Sequence, residues 1–536
     1  MIRKATTLVS KELTALRVLA STGAIRPYPP RVLVGLLRAL RDWGMGPAGG
    51  FTTVALRAPH QVAVIDELGE LTYLQLHQRS NALAHGLREL GVGEGDGVAI
   101  LCRNHRGFIE ATLAAGRLGA DVLYLNTAFA APQLGEVCDR ERPAAVIYDE
   151  EFDGLVDEAR IDVPRVLAWH DRDTELPTLE AMIGAGSTDD LPPPTHRSRS
   201  VILTSGTTGA PKGAARSEGS LDAAVALLSR LPLKRGWRTH IAAPLFHTWG
   251  WAHFALAMLL GSTMVLRRTF DPEGALQAVT EHRCESFVVI PVMMQRILQL
   301  PEERLRSYDL SHVKVVAASG SALPGDLGTD WMDHFGDTLY NVYGSTEVAW
   351  ATIAQPRDLR DAPGTAGRPP HATVVKVYDA HGNELPPGEE GRIFVGNSML
   401  FEGYTGGGSK DMIHGLMATG DVGRFDEAGH LFVEGRDDEM IVSGGENVFP
   451  KEVEDCLHRH DAVDDVAAIG VEDADFGQRL RAFVVLSPDG AADEEELKQH
   501  VKRNLARYKV PREIVFVDEL PRNATGKILK RELAER

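Results

Sequence analysis

The sequence predicts an α/β protein in which a large N-terminal unit of β-sheets flanked by helices precedes a small α+β unit. Apolar segments of the first part alternate between strand and helix periodicity, as in parallel β/α units. This pattern restarts after Arg436. The chain has 536 residues, which is too many for a single hydrophobic core.

The alternation begins close to the N-terminus. Leu71–Leu90 is predicted to be an amphipathic helix, and the apolar segment Gly97–Leu101 follows a glycine-rich turn as a strand. A helix around Phe108–Leu118 and a strand at Asp121–Leu125 repeat the unit. Because the strand pattern returns at Phe287–Pro291, the large unit continues beyond the middle of the chain.

The small unit begins at a boundary that we place at Arg436–Asp438. We expect a helix that starts near Pro450, strands at Val463–Val471 and Arg481–Leu486, and a charged helix at Glu494–Leu505. A unit of about a hundred residues lies within the usual range of domain sizes.

Composition narrows the class of protein. The chain is 43% hydrophobic and 25% charged, as in ordinary globular proteins, and its formal net charge of −18 argues against nucleic acid as the main partner. The four cysteines are far apart, which argues against a zinc site or a disulfide framework and favours the cytoplasm. The longest apolar stretch, Trp249–Leu266, is interrupted by His253 and Ser262, so we expect a buried helix that leads into a strand.

The N-terminal segment differs in charge from the rest of the chain. Up to Arg41 its only acidic residue is Glu12. Its basic residues are Arg3, Lys4, Lys11, Arg17, Arg26, Arg31, Arg38 and Arg41. Residues 31–41 have the pattern of a basic amphipathic helix. Two interpretations stay open: peripheral contact with an anionic membrane surface, where apolar substrates reside, and an additional helix packed on the first unit.

A loop rich in glycine and small hydroxyl residues, Thr204–Gly213, follows the apolar strand Val201–Leu203. Glycines let backbone N–H groups approach an anion, hydroxyls add donors and Lys212 adds positive charge, so the loop is suited to nucleotide phosphates. The usual P-loop spacing is absent, because only two residues separate Gly206 from Gly209. By itself, such a loop is equally compatible with a surface turn.

Further motifs follow this loop along the chain. They are Ala318–Pro324, Tyr343–Glu347, Thr419–Asp421, Gly435–Asn447 and Pro521–Lys530. Their order and spacing resemble the adenylate-forming superfamily of acyl-CoA synthetases, luciferases and peptide-synthetase adenylation domains. The resemblance runs from about Phe51 to the end and extends to the bacterial fatty acyl-CoA synthetases, the long-chain fatty acid–CoA ligases.

The resemblance implies a two-step reaction. A carboxylate attacks the α-phosphate of ATP to give an acyl-adenylate and pyrophosphate, and the thiol of coenzyme A then displaces AMP. Because two anions approach each other, cations must neutralise the charge, and Mg²⁺ is expected besides ATP and CoA. The implied domains are a basic N-terminal extension over residues 1–50, an ATP- and acyl-binding adenylation domain over residues 51–436 and a mobile C-terminal domain over residues 437–536.

The resemblance also implies the residues that bind the cofactors. They are Thr204, Ser205, Gly206, Thr207, Thr208, Gly209, Lys212, Gly320, Ser321, Ala322, Tyr343, Gly344, Ser345, Thr346, Asp421, Arg436, Gly444, Gly445 and Glu446. Thr204 and Glu347 match positions associated with Mg²⁺, for which a carboxylate is a suitable ligand. Tyr343 matches the aromatic that stacks on adenine. Asp421 matches the acceptor for the ribose hydroxyls, and Arg436 a second ribose or phosphate contact.

Lys527 resembles the lysine that bridges the acyl carboxylate and the α-phosphate, and it is the first candidate for catalysis, with Glu347, Thr204 and His247 beside it. Asp438 matches the hinge about which the small domain swings after adenylation. The swing is expected to remove Lys527 and to bring Ser443–Asn447 to the site.

The segment after Pro244 resembles the one that lines the acyl pocket. His247 matches a histidine beside the carboxylate, with a structural role as the alternative. Trp251 matches a tryptophan that gates the fatty-acid tunnel, with core packing as an equal alternative. The aliphatic segment Phe254–Leu260 contains no charge that could hold an ammonium group, which favours a fatty or otherwise apolar acid of medium to long chain.

Several functions stay open beside the fatty acyl-CoA ligase. An aryl- or branched-acid CoA ligase and a fatty acyl-AMP ligase that loads a carrier protein share the first step. A luciferase-type oxygenase shares it too, and a catalytically inactive binding module would use the same scaffold. A homodimer is kept open as an assembly.

Overall fold

The computed structural model describes residues 13–536 except 45, 205–211, 217–220, 322, 324, 402, 405–407, 437–440, 444–445, 449, 474–475, 488–489, 522–529 and 535–536. The predicted α/β class is confirmed, with a large unit of helix-flanked sheets before a small α+β unit. The α-helices are Pro30–Trp43, Pro47–Arg57, Tyr73–Glu89, Arg106–Leu118, Ala131–Glu141, Asp153–Glu158, Leu179–Ala185, Leu221–Leu228, Thr248–Leu260, Pro272–Glu281, Pro291–Leu298, Glu302–Ser307, Gly325–Phe335, Pro356–Asp361, Pro450–His458, Glu494–Asn504 and Lys530–Ala534. Residues 13–22 are helical as well.

Two sheets form the core of the large unit. The six-stranded sheet has the spatial order Arg165–Trp169, Pro143–Asp149, Gly97–Leu101, Asp121–Tyr124, Ser200–Thr204 and Lys212–Arg216. The eight-stranded sheet has the order Thr352–Ala354, Leu339–Tyr343, Val315–Ala318, Ser286–Val289, Arg238–Ile241, Thr263–Val265, Val62–Asp66 and Gly69–Thr72. Their inner strands are parallel, as the alternation predicts, and antiparallel strands close three of the four edges.

Two smaller sheets follow. The first is antiparallel and consists of Val374–Tyr378, Gly391–Gly396, Leu416–Phe425, Met412–Ile413 and Leu431–Arg436. The second belongs to the small unit and consists of Glu446–Val448, Ile441–Ser443, Gly477–Leu486, Val463–Asp473 and Glu513–Phe516. The predicted domain boundaries stay predictions, since the hinge residues lie outside the described part of the chain.

The helix predicted at Leu71–Leu90 begins two residues later, because Leu71 and Thr72 complete the hairpin strand Gly69–Thr72. Thr72 then caps the helix: its hydroxyl accepts from the N–H of Gln75, and the Gln75 side chain accepts from the N–H of Thr72. This reciprocal pair satisfies two N–H groups that a helix start leaves open.

The helix Thr248–Leu260 confirms the expectation for the longest apolar stretch. It is apolar on all sides, because it runs between the sheets and the helices of the large unit. Gly261 ends it at a φ of +61°, and the strand Thr263–Val265 follows directly. None of the described helices is both long and apolar enough to cross a bilayer.

All four cysteines are free thiols inside the protein. Burial raises the pKa of Cys138 and of Cys284 to about 12 and holds that of Cys102 well above its usual value. These thiols therefore behave as small apolar side chains.

Candidate active site

A cavity of about 1180 Å³ lies between the two large sheets and the small unit. Leu203, Ser319 and Tyr343 line it, each at or beside the carboxyl end of a strand, where ligands of parallel sheets usually bind. Glu446 and Lys509 line it from the small unit. The cavity therefore gathers the motifs that the sequence places far apart.

Tyr343 and Asp421 meet in this cavity. The Tyr343 hydroxyl donates to Oδ2 of Asp421 at 2.5 Å. Asp421 is almost buried, and its backbone N–H donates to Oγ1 of Thr419 at 3.0 Å. A hydrogen bond to a charged group contributes about 1.5–3 kcal/mol, so this contact holds the Tyr343 hydroxyl and the Asp421 carboxylate together.

The backbone beside Tyr343 has no room for side chains. A Cβ on Gly344 would lie 2.3 Å from the carbonyl oxygen of Ala349. On the facing strand end, Gly320 has a φ of +101°, a conformation that L-residues with side chains rarely adopt. Gly344 and Gly320 thus mark two places in the cavity wall where the backbone carries no side chain.

Glu347 directly follows Thr346, which lines the cavity, and it is an ionised carboxylate. Burial by itself would raise its pKa, but the charge of Lys410 and hydrogen bonds from Tyr404 and Ser345 outweigh it and lower the pKa below the usual value. The Tyr404 hydroxyl donates to Oε1 at 2.7 Å. A fixed, ionised carboxylate is a group that a hard cation such as Mg²⁺ prefers.

His247 contacts the small unit. Its Nε2 lies 2.8 Å from Oε1 of Glu446. Burial would lower the pKa of His247, but the charge of Glu446 and this hydrogen bond raise it above the usual value. Burial would likewise raise the pKa of Glu446, whereas His247, Lys509 and Asn126 lower it. Both changes favour the charged forms, so the contact is an ion pair.

The helix Thr248–Leu260 supplies an apolar wall that extends away from His247. Thr248, Trp251, Ala255 and Leu259 line the cavity at helical spacings of three or four residues, so they form one stripe. The indole N–H of Trp251 donates to the Tyr124 hydroxyl at 3.1 Å. Trp251 is therefore held as a fixed part of the wall.

Two family models match the chain. The model of the AMP-binding enzyme matches residues 51–405, and that of the AMP-binding enzyme C-terminal domain matches residues 452–527. This chain belongs to the family of AMP-binding enzymes. The predicted class of enzyme, an acid–thiol ligase that forms AMP, is confirmed by this membership and by the activities of the relatives.

Two curated relatives of this AMP-binding enzyme are CoA ligases. A feruloyl-CoA synthase of Amycolatopsis sp is 34% identical over 90% of this chain and 97% of its own. A 2-succinylbenzoate–CoA ligase of Geobacillus kaustophilus is 33% identical over 89% of this chain and 96% of its own. These two relatives do not support the more specific prediction of a fatty acyl-CoA synthetase, since the acids in their names are aromatic.

A solved structure has the same architecture. The amide bond synthetase McbA from Marinactinospora thermotolerans has a TM-score of 0.81 and 28% identity, and the alignment covers 91% of this chain and 99% of that one. The confirmed fold of this AMP-binding enzyme is thus shared over nearly the full length of both chains.

Several predicted site residues of the AMP-binding enzyme lie outside the described residues. They are Ser205, Gly206, Thr207, Thr208, Gly209, Ala322, Asp438, Gly444, Gly445 and Lys527. For Thr204, Lys212 and Arg436 the structure describes the backbone alone. Thr204 and Lys212 are paired in an antiparallel register at the ends of two neighbouring strands.

Other residues enter the site without a signal in the sequence. Lys509 and Asn126 surround Glu446, and Tyr404 and Lys410 surround Glu347. Tyr404 and Lys410 fall between the predicted motifs Tyr343–Glu347 and Thr419–Asp421. All four residues lie outside the predicted motifs, so no signal in the sequence points to them.

Proposed function

We propose that this AMP-binding enzyme joins an elongated apolar acid, a medium- to long-chain fatty acid, to coenzyme A. The carboxylate oxygen would form a bond to the α-phosphorus of ATP while pyrophosphate leaves. The CoA sulfur would then form a bond to the acyl carbon while AMP leaves with the electron pair of the broken C–O bond. The observation that carries the proposal is the apolar stripe along Thr248–Leu260.

The length of this stripe supports an elongated acid. Its first residue, Thr248, is next to His247, and its last, Leu259, lies eleven residues further, which is roughly 16 Å at the rise of an α-helix. Arg57 donates to the carbonyl oxygens of Met258 and Leu259 and closes this end of the helix. A compact acid would fill only the first part of the cavity.

The nucleotide would occupy the other branch of the cavity. We assign adenine to the space between Tyr343 and Gly320, and the ribose hydroxyls to Asp421. The carboxylate of Asp421 accepts from the Tyr343 hydroxyl, and a carboxylate is a group that accepts hydrogen bonds from hydroxyls. Thr204 and Glu347 would hold Mg²⁺, which supplies positive charge to the phosphates. The ionised state of Glu347 fits that ion.

The position of Glu446 supports a role of the small domain in the second step, the transfer to CoA. Glu446 belongs to the predicted segment Ser443–Asn447, and its contact with His247 is the arrangement expected after the domain has swung about Asp438. For the first step we assign Lys527 to the acyl carboxylate and the α-phosphate. His247 would then exchange its partner Glu446 for the incoming acid.

An aromatic acid is the second candidate, and the relatives favour it. Feruloyl-CoA synthase and 2-succinylbenzoate–CoA ligase both cover most of this chain, and the acids in their names carry rings. The wall residue Trp251 is compatible with a flat substrate as well as with a chain.

A panel of acids separates the candidates. Pyrophosphate release would be measured with ATP, Mg²⁺ and fatty acids of graded length or ring-bearing acids such as ferulic acid, with and without CoA. We expect the highest kcat/KM for medium to long chains and a product that depends on CoA. A clear preference for ferulic acid would replace the proposal by the second candidate. Acyl-AMP that accumulates despite CoA would indicate a ligase that loads a carrier protein.

A further inference from the structure

The helix Pro30–Trp43 presents apolar side chains to the outside of the molecule. Leu33, Val34 and Leu37 are 45%, 65% and 69% exposed. Leu33, Leu37 and Leu40 follow one another at spacings of four and three residues, so they share one face. A single exposed leucine is ordinary, whereas a continuous apolar stripe marks a surface that something covers.

Exposed apolar residues are concentrated in this part of the described chain. Within residues 13–57 they are Leu13, Leu16, Ile25, Leu33, Val34, Leu37, Leu40 and Leu56. In all the rest of the described chain they are Leu68, Leu176, Leu221, Val374, Met412 and Phe516. The short N-terminal segment thus holds more of them than the much longer remainder, which chance placement on a globular surface does not explain.

Positive charge accompanies the stripe. Arg31, Arg38 and Arg41 are exposed on the same helix, and its one acid, Asp42, has a buried side chain that pairs with Arg38 and Arg41. The chain as a whole has a net charge of −18, so this patch is opposite in sign to the protein as a whole. An apolar stripe flanked by arginines is complementary to a partner that has anionic groups at its surface and an apolar layer beneath them.

We propose that Pro30–Trp43 docks this protein on a bilayer of anionic phospholipid. Leu33, Val34 and Leu37 would enter the boundary between headgroups and acyl chains, and the arginines would face the phosphates. A second copy of the chain is a poorer occupant, because a two-fold interface would bring equal arginine-bearing faces together.

The docking helix adjoins the cavity. Leu36 and Leu40 line the cavity, and so do Pro47 and Gly50 of the next helix. A docked molecule would therefore hold the far end of the cavity close to the lipid in which an apolar acid is dissolved. This route for the acid rests on the proposed function, whereas the docking itself does not.

Vesicle binding tests the docking without any substrate. The full-length protein is sedimented with vesicles of equal parts phosphatidylcholine and phosphatidylglycerol, and with vesicles of phosphatidylcholine alone. We expect binding to the anionic vesicles that weakens as salt is added, and a loss of about tenfold or more in the Val34→Glu/Leu37→Glu variant. Arg31→Gln should cost roughly fivefold, as removal of one basic residue near an anionic surface does.

The matched control is Leu68→Glu/Leu176→Glu, which adds the same charge at leucines that are 55% and 37% exposed elsewhere. It should bind like the unchanged protein. Equal binding of both double variants, or binding that ignores the anionic lipid, would overturn the proposal. So would a dimer, seen by sedimentation velocity without vesicles, that dissociates only in Val34→Glu/Leu37→Glu.

Turnover gives a second measurement. Val34 and Leu37 do not line the cavity, so their variant should keep its rate with a short acid in solution and lose rate only when a long acid is offered in anionic vesicles. Equal rates with the vesicle-borne acid would contradict the route. Absence of turnover in every protein would instead contradict the proposed function and leave the binding result standing.

Discussion

Nε2 of His247 lies 2.8 Å from Oε1 of Glu446, and this ion pair connects the large and the small unit inside the cavity. The two residues are 199 positions apart in the sequence. If the small unit swings during the reaction, this pair has to break and form again in every cycle, so its charge state should govern the balance between the two arrangements.

The pair should make this balance depend on pH. The pKa of His247 is raised, so its stabilisation is present at low pH and is lost as pH rises through that raised value. The pKa of Glu446 is lowered, so its stabilisation is present at high pH and is lost as pH falls through that lowered value. We expect the contact between the units, followed by energy transfer between labels on each, to be strongest between the two values.

Glu446→Gln should remove this dependence and favour separation of the units by roughly tenfold to a hundredfold, since a hydrogen bond to a charged group contributes about 1.5–3 kcal/mol. Glu496→Gln is a suitable control, because this residue belongs to the same unit but is exposed and lies 3.8 Å from His460. An unchanged pH response in Glu446→Gln would show that another group sets the balance.

Lys527→Ala should abolish most of the adenylation step, by roughly a hundredfold or more, as loss of a charge aimed at the developing transition state does. The transfer of a preformed acyl-adenylate to CoA should continue. ATP–pyrophosphate exchange and thioester formation measure the two steps. Lys530→Ala, whose side chain pairs with Glu454 at 3.1 Å, should leave both near normal. Normal exchange in Lys527→Ala would refute the assignment.

In Tyr404→Phe, the fall in the adenylation rate at low pH should occur at a higher pH than in the unchanged protein. The Tyr404 hydroxyl helps to lower the pKa of Glu347, so without it the carboxylate protonates earlier as pH falls. In Glu347→Gln, the fall in the adenylation rate at low pH should disappear, and a higher Mg²⁺ concentration should be needed for the rate to saturate. Adenylation rates measured over a pH series at several Mg²⁺ concentrations check both predictions. If the fall in rate at low pH occurs at the same pH in Tyr404→Phe, protonation of Glu347 does not cause it.

Tyr343→Phe should raise the KM for ATP by several-fold, since the ring stays but no longer holds Asp421. Tyr343→Ala should raise it further, because a stacked base contributes about 1–3 kcal/mol. Asp421→Asn should affect ATP more than 2′-deoxy-ATP, in which one ribose hydroxyl is missing. Equal losses with both nucleotides would contradict a ribose contact.

Ala255→Trp should reduce the maximum chain length of the acids that the enzyme accepts. Position 255 lies seven residues beyond Thr248, roughly 10 Å along the helix, so an indole there would fill the middle of the cavity. We expect kcat/KM to fall for long acids and to remain for short ones, which serve as the internal control. A uniform loss over all lengths would mean that the acid does not follow this helix.

The strand pattern of the sequence predicts which motifs lie together at one edge of a sheet. Parallel strands end at one edge, so Ser319–Ser321 and Tyr343–Glu347 had to meet once their strands were recognised. The meeting of Tyr343 with Asp421 was foreseeable only through the family, because Asp421 belongs to a separate antiparallel sheet.

The rest depends on how separate units pack. Lys509 reaches the cavity because the small unit docks there, and no periodicity encodes that docking. The start of the helix at Tyr73 was misplaced because hairpin pairing of Leu71 and Thr72 outweighs helix periodicity. The helix Pro30–Trp43 forms where the amphipathic pattern predicts one. The pattern did not predict that apolar residues of this helix, as well as its arginines, are exposed.

The buried cysteines have a chemical consequence for an enzyme that makes acyl-adenylates. An acyl-adenylate reacts with any thiolate within reach, and a side chain captured in this way would end the catalytic life of the molecule. Cys102, Cys138, Cys284 and Cys456 are all inside the protein, and burial holds the first three as neutral thiols. The chain thus offers its own activated product no nucleophilic sulfur, and the thiol of the acceptor has no internal competitor.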